Sequence, residues 1–232
     1  MDEQIKALKA AFPHTIPVFA GFIFLGIAFG ILMNSKGYGV GWAILMSFIV
    51  YAGSAQYVAI KFLTSVFDPL YALLLTLMVN ARHLFYGISM LDKYKGTGKF
   101  KPYLIFGLCD ETFSIICSAN PPVGVNRNWF MFFITFLHHC YWVLGSAIGG
   151  LLGYMVSFNT KGLDFVLTAL FVVIFIGQWK SPAKRKPAII GVACTAVCLA
   201  IFGPNHFIIP AMIAILMILT VYRKNMIVEG AK

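Results

Sequence analysis

Residues 77–86 read LMVNARHLFY and lie in the middle of an apolar run, 69–91, that is long enough to cross a bilayer. Three strongly polar side chains, Asn80, Arg82 and His83, therefore fall near the deepest point of this run. Placing one charged residue at a bilayer centre costs about 2.5–3.5 kcal/mol on insertion scales. On a straight helix Asn80 and His83 share a face, whereas Arg82 points roughly the opposite way. The polar groups thus predict either a helix surrounded by protein or a helix that is interrupted here.

The composition of the whole chain is that of an integral membrane protein. Of its 232 residues, 60% are hydrophobic and 11% are charged, whereas soluble domains are roughly 25% charged. The formal net charge of +10 comes from lysines and arginines that lie mainly between apolar runs, as in 93–101 and 184–186. This placement is typical of topology control and of contact with the anionic headgroups of a lipid bilayer. We therefore do not expect binding to nucleic acid.

Eight apolar segments are candidates for membrane-spanning helices. They are 13–33, 40–63, 69–91, 102–118, 129–153, 163–179, 188–203 and 206–222. The sequence thus predicts an all-α integral membrane protein, a polytopic bundle of about seven to eight transmembrane segments in a single transmembrane domain over 1–232. The positive-inside rule favours an amino end in the cytoplasm. A re-entrant segment at 40–63 or 102–118 is the alternative to eight full crossings.

Landmark residues recur in the same order in two parts of the chain. Pro13 and Pro102 open the first and fourth segments, and Trp42 and Trp129 open the second and fifth. The recurrence predicts two three-segment units, 12–92 and 101–180, followed by two extra C-terminal helices within 188–222. An odd number of crossings would insert the second unit upside down. Inverted repeats with broken helices are common in secondary transporters, where the substrate site lies at the midplane. Chance matching of these landmarks is the alternative.

Segment 40–63 has small and polar residues at its centre. Gly53, Ser54 and Gln56 lie within four residues of one another. Small residues allow helices to pack closely, and the alternative is a broken helix whose freed backbone groups line a cavity. The amide of Gln56 beside Gly53 and Ser54 favours the broken helix.

Segment 102–118 has two adjacent carboxylic acids, Asp110 and Glu111, at its middle. One of them could pair with Arg82, which would leave the other acid without a permanent cation. We expect that second acid to carry a proton or to accept an ammonium group. A tilted or re-entrant segment, which would bring both acids to a water-filled vestibule, is the alternative.

Segment 129–153 contains the adjacent histidines His138 and His139, followed by several glycines. Neighbours on a helix diverge by about 100°, so this pair lacks the spacing of metal ligands. Neutral, hydrogen-bonded histidines are favoured over ligands, and a proton-relay role stays open because they share the depth of the other polar groups. We expect the glycines to form a helix-packing face.

Together these polar groups could bind an amino acid. They offer a cation, a spare carboxylate, neutral amides and an apolar lining, which match the carboxylate, ammonium and side chain of a hydrophobic amino acid. The candidate substrate-binding or coupling residues are Gly53, Ser54, Gln56, Asn80, Arg82, His83, Asp110, Glu111, His138 and His139. Other zwitterions, or a proton-coupled organic anion, would fit the same groups. The sequence assigns no catalytic residue, cofactor or metal.

Several short motifs occur together in one known family. They are Phe29-Gly30, AGSAQ at 52–56, NARHLFYG at 80–87, DETF at 110–113 and GLDF at 162–165. In this combination, from about residue 12 to 179, the sequence resembles the AzlC family, the large subunit of bacterial branched-chain amino acid exporters. The resemblance implies export of leucine, isoleucine or valine, and a small apolar membrane subunit of the AzlD type as partner. It also implies a multi-pass protein of the bacterial inner membrane.

These arguments predict a secondary transporter that exports hydrophobic amino acids and is driven by the proton gradient. Arg82 would neutralise the substrate carboxylate or hold one acid in place. Asp110 or Glu111 would take the proton or the ammonium, and a break near Gly53 and Ser54 would supply backbone dipoles. A channel-like passive facilitator for small zwitterions is the alternative. An intramembrane metal-dependent enzyme is a further alternative, which needs at least three converging ligands.

Overall fold

Every regular element in the described residues of this computed structural model is helical, as the sequence predicts. The structure describes residues 2–66, 68–80, 82–155, 172, 175–176, 179 and 182–230. The chain forms two compact units, Met1–Val166 and Leu167–Lys232. All the candidate site residues belong to the first unit. A single transmembrane domain over the whole chain remains a prediction.

The first unit contains eight α-helices in its described part. They are α1 (Asp2–Ser35), α2 (Val40–Ile49), α3 (Gly53–Thr64), α4 (Pro69–Asn80), α5 (Arg82–Met90), α6 (Lys101–Phe106), α7 (Asp110–Ser118) and α8 (Arg127–Met155). A single 3-10 turn, Gly98–Phe100, precedes α6. Three predicted segments are therefore divided: 40–63 into α2 and α3, 69–91 into α4 and α5, and 102–118 into α6 and α7.

The most extensive helix–helix contact in the described part of this unit is between α1 and α8. Glycines allow the backbones of these two helices to approach closely. A Cβ placed on Gly26 or Gly30 would collide with backbone atoms of α8, and one placed on Gly149 would collide with the backbone of Ile27. Only a hydrogen atom fits at these positions, which is how small residues permit tight helix pairs in membranes. The predicted glycine packing face of segment 129–153 is confirmed, with α1 as its partner.

Helix α1 begins well before the predicted segment 13–33, so the prediction that Pro13 opens the first segment is wrong. Pro13 and Pro17 both lie inside the helix. A proline in a helix interior costs about 3 kcal/mol, and here tertiary packing offsets that cost. Between the prolines, the buried hydroxyl of Thr15 lies 2.9 Å from the Tyr141 hydroxyl on α8. Packing against α8 therefore keeps this stretch helical.

The three divided segments are interrupted at different kinds of sites. The break between α2 and α3 includes the buried Tyr51, whose φ of 43° is rare for a residue other than glycine. Helices α4 and α5 meet at an angle of 47°. The break between α6 and α7 covers 107–109. The interruption expected near Gly53 is therefore present just before that residue, and Arg82 and Asp110 each begin a new helix.

Side chains fix the ends of several helices. Asp68 accepts hydrogen bonds from two backbone N–H groups at the start of α4, and Asn126 does the same at the start of α8. At the other end of α7, the Lys93 ammonium donates to the carbonyl oxygens of Ile116 and Cys117, both at 2.6 Å. A cation at a helix C-terminus is favourable. The far end of α7 is thereby held by the turn that follows α5.

The second unit contains α9 (Pro182–His206) and α10 (Ile208–Gly230), which pack against each other. Gly203, near the end of α9, has a φ of 70° and is not helical, a conformation that glycine adopts readily. These are the two helices predicted within 188–222. The predicted segment 163–179 lies almost entirely outside the described residues.

Length and composition show which of the described helices could cross a membrane. Asp2–Ser35, Arg127–Met155 and Arg185–Gly203 are long and apolar enough, and the bent pair α4 and α5 would be a fourth span if it is counted as one. An all-helical fold with these apolar helices is consistent with a membrane protein. The count of seven to eight segments remains a prediction.

The inverted repeat also remains a prediction. Its paired segments differ in shape: the first is the continuous α1 and the fourth is divided into α6 and α7, while the second is divided into α2 and α3 and the fifth is the continuous α8. The third pair cannot be compared, because 163–179 is not described.

Candidate functional site

The central polar contact joins Arg82 to Asp110 across α5 and α7. Arg82 Nη1 lies 2.6 Å from Asp110 Oδ2, and the two side chains are 28% and 20% exposed. Arg82 Nη2 donates a hydrogen bond to Ser54 Oγ on α3 at 3.0 Å. One guanidinium therefore joins three helices. The sequence leads us to expect that one of the two acids pairs with Arg82, and in the structure that acid is Asp110.

The first turns of α3, α5 and α7 meet at this guanidinium. Ser54 is the second residue of α3, Arg82 is the first of α5 and Asp110 is the first of α7. The leading N–H groups of a helix have no intrahelical partner, and the N-terminus has a positive partial charge. In the described chain, no N-cap side chain bonds to the start of α3 or α7. This arrangement favours a carboxylate, and Asp110 supplies one.

Further hydrogen-bond acceptors belong to residues that are close in sequence to the ion pair. Glu111 is partly buried and forms no ion pair with any described residue. Asn80 Oδ1 is buried and has no hydrogen-bond partner among the described residues. His83 donates from Nδ1 to the Asn80 carbonyl oxygen at 3.2 Å, which requires the proton on that nitrogen. A ligand with N–H donors, such as an ammonium group, would find acceptors here.

Gln56 belongs to a separate, buried network. Its amide accepts a hydrogen bond from Trp142 Nε1 at 2.8 Å and donates one to Ser47 Oγ at 3.1 Å. Ser47 in turn donates to Ser146 Oγ at 2.7 Å. Gly53 lies against the same indole, since a Cβ on it would come within 3.0 Å of the Trp142 ring. These contacts tie α2 and α3 to α8 on both sides of the break, which is a positioning role.

His138 and His139 make their hydrogen bonds away from Arg82. His138 is fully buried, and its Nδ1 lies 2.9 Å from Thr112 Oγ1, which is 3.1 Å from Cys109 Sγ. His139 Nδ1 lies 3.1 Å from the Tyr103 hydroxyl. For both histidines Nε2 is buried without a hydrogen-bond partner in the part of the chain that is described. His138 therefore supports the first turn of α7, where Asp110 lies.

The described residues do not bring together three or more His, Cys, Asp or Glu side chains that could hold a metal ion. A metal-dependent enzyme needs at least three such ligands.

The hydroxyl partners of these groups were not found by sequence reasoning. Thr112 and Tyr103 supply hydrogen bonds to the histidines, and Ser47 and Ser146 complete the Gln56 network. Thr112 had one signal, because it follows the two acids within the DETF motif. Serines in apolar helices often bond to the backbone of their own helix, so nothing in the sequence indicated that Ser47 and Ser146 bond to another helix.

A cavity of about 390 Å³ lies beside α5 and α6. It is lined by His83, Leu84, Gly87, Ile88, Met90, Leu91, Tyr94, Lys101, Ile105 and Leu108. Most of these side chains are aliphatic. Of the predicted site residues only His83 is part of the lining, and it is the residue that follows Arg82.

Comparison with known proteins places this site in a family. The family model described as "AzlC protein" matches residues 17–156. The match covers more than half of the chain and includes Ser54, Arg82 and Asp110. The chain belongs to the AzlC family.

Similar proteins from several bacteria match most of the chain. It is 61% identical over 218 residues to the branched-chain amino acid transport protein AzlC of Bacillus subtilis (strain 168), covering 94% of this chain and 86% of that relative. It is 45% identical over 216 residues to a membrane protein of Haemophilus influenzae, covering 93% and 88%. It is 30% identical over 210 residues to the inner membrane protein YgaZ of Escherichia coli (strain K12), covering 86% and 82%. No solved structure matches the chain.

Proposed function

We propose that this chain is a secondary transporter that exports hydrophobic, branched-chain amino acids such as leucine, isoleucine and valine across the bacterial inner membrane. The observation behind the proposal is the contact of Arg82 with both Asp110 and Ser54, where the first turns of three helices meet. The name of the Bacillus subtilis relative supports the substrate class. The name of the Escherichia coli relative supports the inner membrane as the location.

The ion pair offers a place for each charged group of an amino acid. The substrate carboxylate would replace the Asp110 carboxylate on Arg82 and would also reach the N–H groups at the start of α3. The substrate ammonium would then bind the displaced Asp110 carboxylate. One internal ion pair is exchanged for two pairs with the substrate, so no charge is left uncompensated. This matters because an unpaired buried charge is strongly destabilising.

Glu111 is the group that we assign to proton coupling. It lies beside Asp110 and has no ion-pair partner among the described residues. An acid that is protonated while it is enclosed avoids the cost of an unpaired charge in the membrane. Exchange of this proton with the outside medium would couple efflux of the amino acid to the proton gradient.

A small apolar membrane subunit of the AzlD type is the partner that we propose. None of the residues of α4 is buried within the described chain, and aliphatic side chains such as Leu73 and Leu77 are 56% and 59% exposed. A helix with this composition needs either lipid or another apolar helix beside it. Purification of the two subunits together tests this point.

Efflux from intact cells tests the proposed function. Cells that express the chain together with the small subunit are loaded with a leucine dipeptide, and leucine release is measured with and without a protonophore. We expect faster release than in cells without the chain, and a loss of at least about tenfold for Arg82→Gln and Asp110→Asn, the range expected when a hydrogen-bonded charge is removed from a site. Lys99→Gln, which neutralises an exposed loop cation, is the matched control.

Two results would contradict the proposal. Normal efflux by both Arg82→Gln and Asp110→Asn, at normal protein levels, would remove the ion pair from the transport mechanism. Release that follows the leucine gradient and ignores the protonophore would identify a passive facilitator and not a coupled exporter.

A further inference from the structure

Two faces of helix α5 make different contacts. Arg82 and Tyr86 lie on the face toward α7, where Arg82 contacts Asp110 and the Tyr86 ring stacks on Phe113 with centroids 4.4 Å apart. The neighbouring face, which includes Gly87, lines the cavity of about 390 Å³ together with α6. The helix that begins with the candidate substrate-binding cation thus also forms a wall of an apolar space.

Two residues that line one end of this cavity are close in sequence to the ion pair. His83, which follows Arg82, and Leu108, which precedes Asp110 by two residues, both belong to the lining. From there the cavity extends along α5 toward Lys101 at the start of α6. The lining thus includes a chain neighbour of each partner of the ion pair and continues along aliphatic side chains, while Arg82 and Asp110 themselves are not part of it.

We propose that this cavity receives the hydrophobic side chain of the substrate amino acid, and that Gly87 sets the size of side chain that fits. The inference rests on the proposed transport function. An α-amino acid has both charged groups and its side chain on one carbon, so a substrate held by Arg82 and Asp110 needs an apolar space near both residues, and this cavity is lined by a chain neighbour of each. The volume lies within the range of small-molecule pockets, about 300–1,000 Å³.

Gly87 provides a direct way to fill the cavity. A Cβ built on Gly87 has no heavy atom within 4 Å apart from its own helix, so a larger side chain can be added there without displacing other groups. Gly21 on α1 also has open space around an added Cβ and does not line the cavity. The substitutions Gly87→Leu and Gly21→Leu are therefore a matched pair. Ile105→Ala enlarges the cavity from the opposite wall, on α6.

Counterflow in liposomes measures side-chain preference. The full-length chain, co-reconstituted with its small subunit, takes up labelled valine, and unlabelled alanine, leucine and phenylalanine compete. For Gly87→Leu we expect the half-inhibitory concentration of leucine to rise at least about tenfold, because burial of its side chain is lost, and that of alanine to change less than about twofold. Gly21→Leu should match the wild type. Ile105→Ala should improve competition by phenylalanine relative to leucine by about threefold or more.

The ratio of leucine to alanine competition decides the outcome. An unchanged leucine-to-alanine ratio in Gly87→Leu, with wild-type counterflow intact, overturns the cavity assignment. The same holds if the ratio is unchanged and Gly87→Leu only lowers the amount of phospholipid that co-purifies with the chain. If Gly87→Leu does not reach the membrane, an unchanged phenylalanine-to-leucine ratio in Ile105→Ala overturns it instead. Absence of valine counterflow by the wild-type chain overturns the transport function itself, together with the inference that rests on it.

Discussion

The Arg82–Asp110 pair can be tested by a double-mutant cycle that measures how strongly the two charges depend on each other. The variants are Arg82→Gln, which removes the charge and leaves a shorter polar side chain, the isosteric Asp110→Asn, and the double substitution. If the contact at 2.6 Å is an ion pair, either single change removes most of its energy and the second change then costs little. The effects of the two single substitutions on the free energy of unfolding should therefore not be additive.

The size of the coupling follows from the exposure of the pair. Exposed ion pairs contribute about 0.2–1 kcal/mol, and breaking a fully buried pair costs about 3–5 kcal/mol. Arg82 and Asp110, at 28% and 20% exposed, lie between these limits. We therefore expect a coupling free energy of about 1–3 kcal/mol.

Reversible unfolding of the purified protein in mixed micelles gives the free energies of unfolding for the cycle. The control cycle combines Arg82→Gln with Asp92→Asn, an exposed acid in the turn beyond the end of α5. Because the two residues are more than a full α5 length apart, their effects should add within about 0.5 kcal/mol. A coupling for Arg82 and Asp110 as small as that of the control would refute the ion pair as a stabilising contact.

Three further substitutions test the supporting structure. Gly149→Leu should destabilise the protein by about 3 kcal/mol, because its side chain would enter the backbone of α1, whereas Gly41→Leu, with open space around it, should leave the thermal midpoint in detergent unchanged. Gln56→Leu should cost about 1–3 kcal/mol, since it leaves a buried indole N–H without its acceptor; an unchanged unfolding curve would count against the network. Lys93→Met should lower the free energy of unfolding by about 1 kcal/mol, because two hydrogen bonds to the end of α7 are lost. Lys95→Met, at an exposed position, should leave the free energy of unfolding unchanged in the same assay.

Much of the site could be predicted from the sequence because charges in apolar segments have few options. Arg82 and the acids at 110–111 lie in segments that would otherwise be buried in lipid, so a contact between them was the simplest expectation. Gly53 and Ser54 predicted an interruption, and α3 begins there. These predictions rest on the residue types within single segments and on the cost of leaving a charge unpaired in lipid.

The remaining features depend on how helices meet, which the local sequence does not show. The local sequence does not show which of the two acids pairs with Arg82; in the structure it is Asp110, the first residue of α7. Gln56 bonds to Trp142 of α8 and to Ser47 of α2, and neither partner can be read from the residues around Gln56. Packing against α8 likewise overrides the helix-breaking tendency of two prolines in α1.

Binding of labelled leucine to the purified chain tests the central claim most directly, namely that the Arg82 guanidinium holds the substrate carboxylate. Equilibrium dialysis would compare the wild type with Arg82→Gln and with the control Lys99→Gln. We expect Arg82→Gln to raise the Kd for leucine at least about tenfold, as loss of a charge-assisted hydrogen bond would, and Lys99→Gln to leave it unchanged. The same Kd for Arg82→Gln and the wild type, with both proteins folded, would contradict the claim.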